Sequence, residues 1–246
     1  MSDYIKDLTE AVKKIKSDGW HDSTRKGNTG IGKTFEDLLD KEEDNIDAPD
    51  YFDIEIKTHE TASASMLTLF TKSPSGPTGA NTLLRQKYGK KDEASNKILH
   101  ITISGNRKTK TVEYGYNYKI NVDRKNEIIY LSIYNKADEE IDNSVYWTFK
   151  DLSQQISKKL ETIAIISAES RVFEGKKQYK YNEIDIVTNL TVDNLIHAIE
   201  TGDLKIDIRI GAYRSGKNAG KTHDHGTGFR INVERLLKYA DVKRIQ

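Results

Sequence analysis

The 246-residue chain contains no cysteine. Disulfides, thiolate chemistry and zinc sites built on cysteine are therefore excluded. No apolar run approaches the about 20 residues that a bilayer-crossing helix needs. The first residues, MSDYIKDLTEAVKKIK, hold neither an apolar signal region nor a small-residue cleavage site, so a cytoplasmic location is expected. Proline is scarce: Pro49, Pro74 and Pro77 are the only three. A strong charge of one sign is also missing, with 39 Lys and Arg against 38 Asp and Glu, a net charge of +1. The basic excess that often marks a nucleic-acid binder is thus absent from the chain as a whole. It reappears locally, because residues 36–60 are rich in Asp and Glu while residues 205–238 are rich in Lys, Arg and His.

What is present reads as a mixture of helices and strands. Hydrophobic residues make up 36% and charged residues 31% of the chain, enough for one large domain or two modest lobes. Residues 3–17 predict a helix with Tyr4, Leu8, Val12 and Ile15 inward. Thr34, with Asp37 three residues on, predicts the cap of a second helix carrying Phe35, Leu38 and Leu39, which dissolves in the acidic DKEEDNIDAPD. PDYFDIEIK predicts a strand with Phe52, Ile54 and Ile56 toward a core, and SMLTLFTK predicts its partner. Further strands are expected in ILHITISG, GYNYKINVD, IIYLSIYN and LKIDIRIGAY, and a central buried strand in AIISAES. Helices are expected in DLSQQISKKLETI, with Leu152, Ile156, Leu160 and Ile163 inward, and in TVDNLIHAIETGD. Interleaved strands and helices point to an α/β or α+β fold in a single unit with two lobes.

The polar face of PDYFDIEIK carries the first candidate site. Residues two apart on a strand project from one face about 6.6–7 Å apart, so Glu55 and Lys57 point together. Asp50 lies just upstream, where a bend after Pro49 can swing its carboxylate toward Glu55. A hard cation such as Mg²⁺ binds through one or two carboxylates plus substrate phosphates. A neighbouring lysine can orient an attacking water or stabilise charge on the phosphate. Solvated strand charges are the plainer alternative for this short pattern. Glu36, beside Phe35, can reach such a site as an outer ligand or act only as a first-turn carboxylate favoured by the helix dipole.

The basic end carries the second candidate site. Asp207 and Arg209 share the strand face opposite Ile206, Ile208 and Ile210. Arginine binds guanine O6 and N7 in a bidentate way and aspartate accepts from cytosine N4, although a simple Asp–Arg ion pair uses the same face. His223 and His225 lie on one side of an extended segment, with Lys217, Lys221 and Arg230 around them, and fit base-edge donors better than zinc ligands. GNTGIGKT matches G-x-x-x-x-G-K-T at Gly27, Gly32, Lys33 and Thr34. A phosphate loop of that type follows a buried strand, however, and the preceding DGWHDSTRK is polar. The match is read as chance and the loop as a contact to a DNA backbone.

Taken together, GNTGIGKTFEDLL, DAPD with DIEIKTHET, LTLFTKSP, YGKKDE, SGNRKT, DNSVYW, ISAES, DIRIGAY and GKTHDHGT with FRIN make the whole chain resemble the MvaI/BcnI type II restriction endonucleases. Within that family the likeness is to the MvaI side. The family is related to the MutH nickase within the PD-(D/E)xK nuclease superfamily. The resemblance implies a MutH-like α/β core with a mixed β-sheet flanked by helices, and catalytic and recognition lobes around a DNA cleft. The catalytic lobe would lie mainly in 1–105 and the recognition lobe mainly in 140–246. It implies that Asp50, Glu55 and Lys57 form the catalytic motif, with Asp50 and Glu55 as metal ligands and Glu36 as the helical acidic residue. Asp207, Arg209, His223, His225 and Arg230 match base-reading positions. The implied activity is Mg²⁺-dependent hydrolysis of double-stranded DNA at CC(A/T)GG, one strand at a time, by a monomer paired with a cognate DNA methyltransferase. A MutH-like nickase and a non-catalytic DNA-binding protein are the alternatives. Residues 110–142 and 171–188 fall between the motifs and are expected to be variable surface.

Overall fold

The computed structural model describes residues 3–39, 50–61 and 63–245. The acidic stretch after the second helix, with Pro49, lies outside the described residues. In chain order the elements are α1 (Asp3–Asp18), β1 (His21–Asp22), α2 (Gly30–Leu38), β2 (Ile54–Glu60), β3 (Leu67–Thr71), α3 (Ala80–Tyr88), β4 (Lys90–Lys91), β5 (Lys97–Ile103), β6 (Thr109–Thr111), β7 (Tyr116–Asp123), β8 (Ile128–Tyr134) and β9 (Glu140–Thr148). They continue with α4 (Phe149–Lys159), β10 (Thr162–Phe173), β11 (Lys176–Thr188), α5 (Val192–Thr201), β12 (Leu204–Ala212), β13 (Thr222–Asp224), β14 (Gly228–Ile231), α6 (Val233–Leu236) and β15 (Asp241–Ile245). Two compact units result. The first comprises residues 1–67, 156–190 and 240–246, and the second comprises 68–155 and 191–239.

The first unit holds a mixed sheet in the order β1-β11-β10-β2, with β15 also on β11. β10 is its central strand: it runs parallel to β2 and antiparallel to β11, and Ala164 to Ile166 are buried, as AIISAES predicts. Ile54 and Ile56 of β2 join Leu8, Val12 and Ile15 of α1 and Phe35 of α2 in one apolar cluster with Ala164, Ile166, Ile184 and Ile186. Strand alternation then turns Glu55 and Lys57 to the opposite sheet face.

Several expectations are corrected here. Phe52 is not a core residue. It is 65% exposed, with φ of 54°, because Tyr51 and Ile54 exchange backbone hydrogen bonds (both 2.8 Å) and leave Phe52 and Asp53 at a turn. Phe52 stacks instead on Tyr4, itself 42% exposed rather than inward. Thr34 does not cap α2. The helix already starts at Gly30, and Thr34 is buried inside it, accepting a hydrogen bond from Thr24 N at 3.1 Å. A Cβ at Gly30, which is not one of the two glycines of the phosphate-loop match, would stand 2.5 Å from Arg25 O and 2.9 Å from the Tyr179 hydroxyl, so close packing requires a glycine at this start of α2. β3 does not pair with β2: its neighbour is β14, where Phe70 stacks on Phe229, while β10 takes the edge of β2. The helix expected to reach Ile163 ends at Lys159, and Ile163 belongs to β10.

The second unit holds two sheets, β3-β14-β12-β5-β4 with β13 added on β12, and β6-β7-β8-β9. Trp147 is fully buried against Phe229 and donates to Lys72 O at 2.9 Å. The segments expected to be variable surface are mostly exposed or half-buried, but each also sends side chains into the core. β11 buries Tyr179, Tyr181, Ile184, Ile186 and Val187, and β7 and β8 bury Tyr118, Ile120, Ile129, Leu131 and Ile133. Their alternating side chains belong to strands paired on both sides, which a motif-by-motif comparison does not register.

Candidate active site

Glu55 is the polar anomaly of the first unit. Only 3% of it is exposed, although a carboxylate is rarely buried without partners. Its Oε1 is ion-paired with Lys57 Nζ, while Oε2 is buried with no hydrogen-bond donor. Burial pushes the carboxyl pKa up. The Lys57 charge opposes that rise and the nearby Asp50 charge adds to it. The turn at Tyr51–Ile54 brings Asp50 back alongside β2, where its Oδ2 accepts from Ile56 N at 3.0 Å. Asp50, Glu55 and Lys57 thus come together, and Asp53 stays exposed at the turn. Glu36 sits half-buried on α2, next to Phe35, and α2 packs on β2.

No group of three or more acidic or histidine side chains able to enclose a metal forms among the described residues. Two adjacent carboxylates, one with an unsatisfied buried oxygen, nevertheless fit a hard cation that keeps water and substrate oxygens in its remaining positions. The chemistry of the donors favours Mg²⁺-like ions over zinc, since all of them are oxygen.

The polar face of β12 carries the second constellation. Asp207 is 7% exposed and accepts from Thr102 Oγ1 at 2.8 Å and from Arg230 Nη1 at 3.0 Å. Arg209 Nε stands farther away, 3.9 Å from Asp207 Oδ2. Its guanidinium donates instead to Gly226 O and His225 O, both at 3.2 Å. The ion pair expected between Asp207 and Arg209 is therefore chiefly one between Asp207 and Arg230. The rings of His223 and His225 lie 4.2 Å apart, and Tyr213 stacks on His223 at 4.3 Å.

Sequence reasoning missed Tyr213, Thr102 and His100. His100 faces Arg209 across the β5–β12 pairing, and its nitrogen approaches the same Gly211 position as that of His225. Desolvation lowers its pKa, the His225 charge adds to the effect and Asp207 opposes it. Only the end of DIRIGAY, which contains Tyr213, offered a local signal; the other two depend on the register of a strand about a hundred residues away.

A family model described as the MvaI/BcnI restriction endonuclease family matches residues 9–238. The restriction endonuclease MvaI–cognate DNA substrate complex is 60% identical over all of both chains, with a TM-score of 0.93. The restriction endonuclease MvaI in the absence of DNA is 59% identical over all of this chain and 99% of its own, with a TM-score of 0.71. No curated protein gave a match. The chain belongs to the MvaI/BcnI restriction endonuclease family and is a type II, site-specific deoxyribonuclease.

Proposed function

We propose that this chain hydrolyses phosphodiester bonds of double-stranded DNA at CC(A/T)GG, with Mg²⁺, one strand at a time and as a cytoplasmic monomer paired with a cognate DNA methyltransferase. The observation that carries the chemistry is the buried Glu55, one oxygen on Lys57 and the other unsatisfied beside Asp50. The 60% identity to a nuclease solved with its cognate DNA substrate supports DNA as the substrate, while the site CC(A/T)GG rests on the family resemblance.

Asp50 and Glu55 would hold the metal, with Glu36 as an outer carboxylate. When bound, a divalent cation polarises the phosphate and lowers the pKa of a coordinated water. Lys57 favours the ionised form of Glu55 against the effect of burial, and its ammonium would stabilise negative charge that develops on the phosphate. The first unit is accordingly the catalytic one. In the second, Asp207, Arg209, His223, His225 and Arg230 read base edges, with Asp207 mainly orienting Arg230. The acidic first site becomes compatible with a polyanionic substrate once the cation is counted in the local charge.

Digestion of a sequenced plasmid with Mg²⁺, followed by mapping of the ends, tests the reading. Ends at CC(A/T)GG are expected, and EDTA should prevent cutting. Ends at CC(C/G)GG would move the central base pair. Nicks that appear only with an added partner protein would favour the MutH-like alternative, and binding without cutting would favour the non-catalytic one.

The raised pKa of Glu55 gives a second expected outcome. Protonation removes its capacity as a ligand, so the Mg²⁺ concentration for half-maximal cleavage should rise as pH falls through a value above the ordinary carboxylate range of about 4.3. Metal titrations of the cleavage rate from about pH 8 down to about pH 4, the ordinary carboxylate range, check this. A midpoint independent of pH across that range would contradict Glu55 as a ligand.

A further inference from the structure

The base-reading histidines are held from behind by α3. Along 222–225, Thr222 and Asp224 alternate with His223 and His225, and the first pair is bound by three side chains of α3. Asn81 Nδ2 donates to Asp224 Oδ2, and Thr82 Oγ1 donates to Thr222 Oγ1 at 3.0 Å. Arg85 Nε donates to Thr222 Oγ1 at 3.2 Å, its Nη2 to Gly220 O at 2.9 Å and its Nη1 to Lys97 O at 3.1 Å. One rigid fork therefore joins the start of β5, the loop before β13 and β13 itself. With Thr222 and Asp224 committed to α3, alternation turns His223 away from it, where its ring meets Tyr213 and His225.

Arg85 is an expensive choice for a structural filler. It is only 3% exposed, and it forms no ion pair with a carboxylate among the described residues. A buried cation paired only with neutral acceptors costs stability that an apolar side chain of similar volume would not. The arrangement makes sense where geometry matters more than stability. A neutral acceptor set also leaves the positive charge uncancelled for a polyanion.

We infer that α3 is a positioning splint for the recognition strand, and that Arg85 is a positioning residue that sets the angle at which His223 and His225 meet base edges. The inference rests on the proposed base-reading role of the two histidines. The test measures kcat and KM of Arg85→Ala, Arg85→Lys and His223→Ala on a duplex with the mapped site and on duplexes with one base pair of it replaced.

For Arg85→Ala, the preference in kcat/KM for the mapped site is expected to fall about 10-fold or more, the scale of one lost base contact. KM on the mapped site should rise more than kcat falls. Lysine should not restore the preference, because an ammonium cannot span the three acceptors. The Arg85→Ala/His223→Ala double variant should lose less preference than the sum of the two single losses, because the His223 contribution is removed only once while that of His225 still depends on Arg85. Equal losses on mapped and altered sites, or losses that add in the double variant, would overturn the inference. If Arg85→Ala does not fold by circular dichroism, Asn81→Ala and Thr82→Val are measured with the same two outcomes. An unchanged preference in His223→Ala would instead overturn the base-reading role itself.

Discussion

Asp50→Ala is expected to lose cleavage by about a thousand-fold or more, roughly 4 kcal/mol of transition-state stabilisation, while duplex binding survives. Two physical roles of Asp50 have to be separated. Its Oδ2 accepts a hydrogen bond from Ile56 N, which contributes about 1 kcal/mol to holding the turn against β2. Its charge lies next to Glu55, close enough to push the Glu55 pKa up. Asp50→Asn keeps an acceptor for Ile56 N and removes the charge. If the carboxylate serves as a metal ligand, Asn and Ala should be almost equally inactive, with only Ala showing a lower Tm. Binding should hold or tighten in both, since a negative charge near the substrate phosphates is gone. Single-turnover cleavage and gel-shift measurements on one duplex check both halves. Ordinary cutting by Asp50→Ala would sink the catalytic assignment, and activity in Asn but not in Ala would reduce Asp50 to a structural acceptor.

Arg209→Ala should relax specificity more than any lysine substitution on the surface of the second unit. The guanidinium is anchored by Gly226 O and His225 O, both at 3.2 Å, which fixes its plane. With five donors in a rigid fork, it keeps capacity for a bidentate contact to guanine. Losing one such contact removes about 1–3 kcal/mol of discrimination, roughly a 5- to 150-fold change in preference. The same truncation frees the His225–Gly226 backbone, so the effect should reach the neighbouring base position too. Lys217→Ala, by contrast, changes an exposed cation and should weaken binding to all sequences alike, with the salt dependence reduced by about one phosphate contact. Competition between the mapped site and single-substitution sites, at two salt concentrations, distinguishes the two behaviours. Uniform weakening by Arg209→Ala would count against base reading.

Much of the architecture was legible because strand alternation and helical periodicity are local. Leu8, Val12 and Ile15 line the buried side of α1, Thr191 and Gly202 bound α5, and Ile206, Ile208 and Ile210 fill one face of β12. Errors arose where distant residues decide. The two strands nearest in sequence, β2 and β3, look like partners because sequential strands usually neighbour each other. Instead β10, more than a hundred residues on, pairs with β2 in parallel. Parity points Phe52 to the core, but the Tyr51–Ile54 bridge makes a turn of Phe52 and Asp53, and β2 starts only at Ile54. β11 lies between motifs in the sequence and so looks like surface, although in the sheet it stands between β10 on one side and β1 and β15 on the other.

At the site, strand spacing says which chemical groups stand together: Glu55 and Lys57 share one face, and Asp207 and Arg209 another. What those groups experience depends on the folded chain. It buried Glu55 and left one oxygen unsatisfied, paired Asp207 with Arg230 in preference to Arg209, brought His100 opposite Arg209 and ran the fork of Arg85 beneath the histidine strand. The physical reason is range. Alternation is a property of consecutive residues, whereas desolvation and cross-strand pairing come from side chains that are distant in sequence and adjacent only in the folded protein.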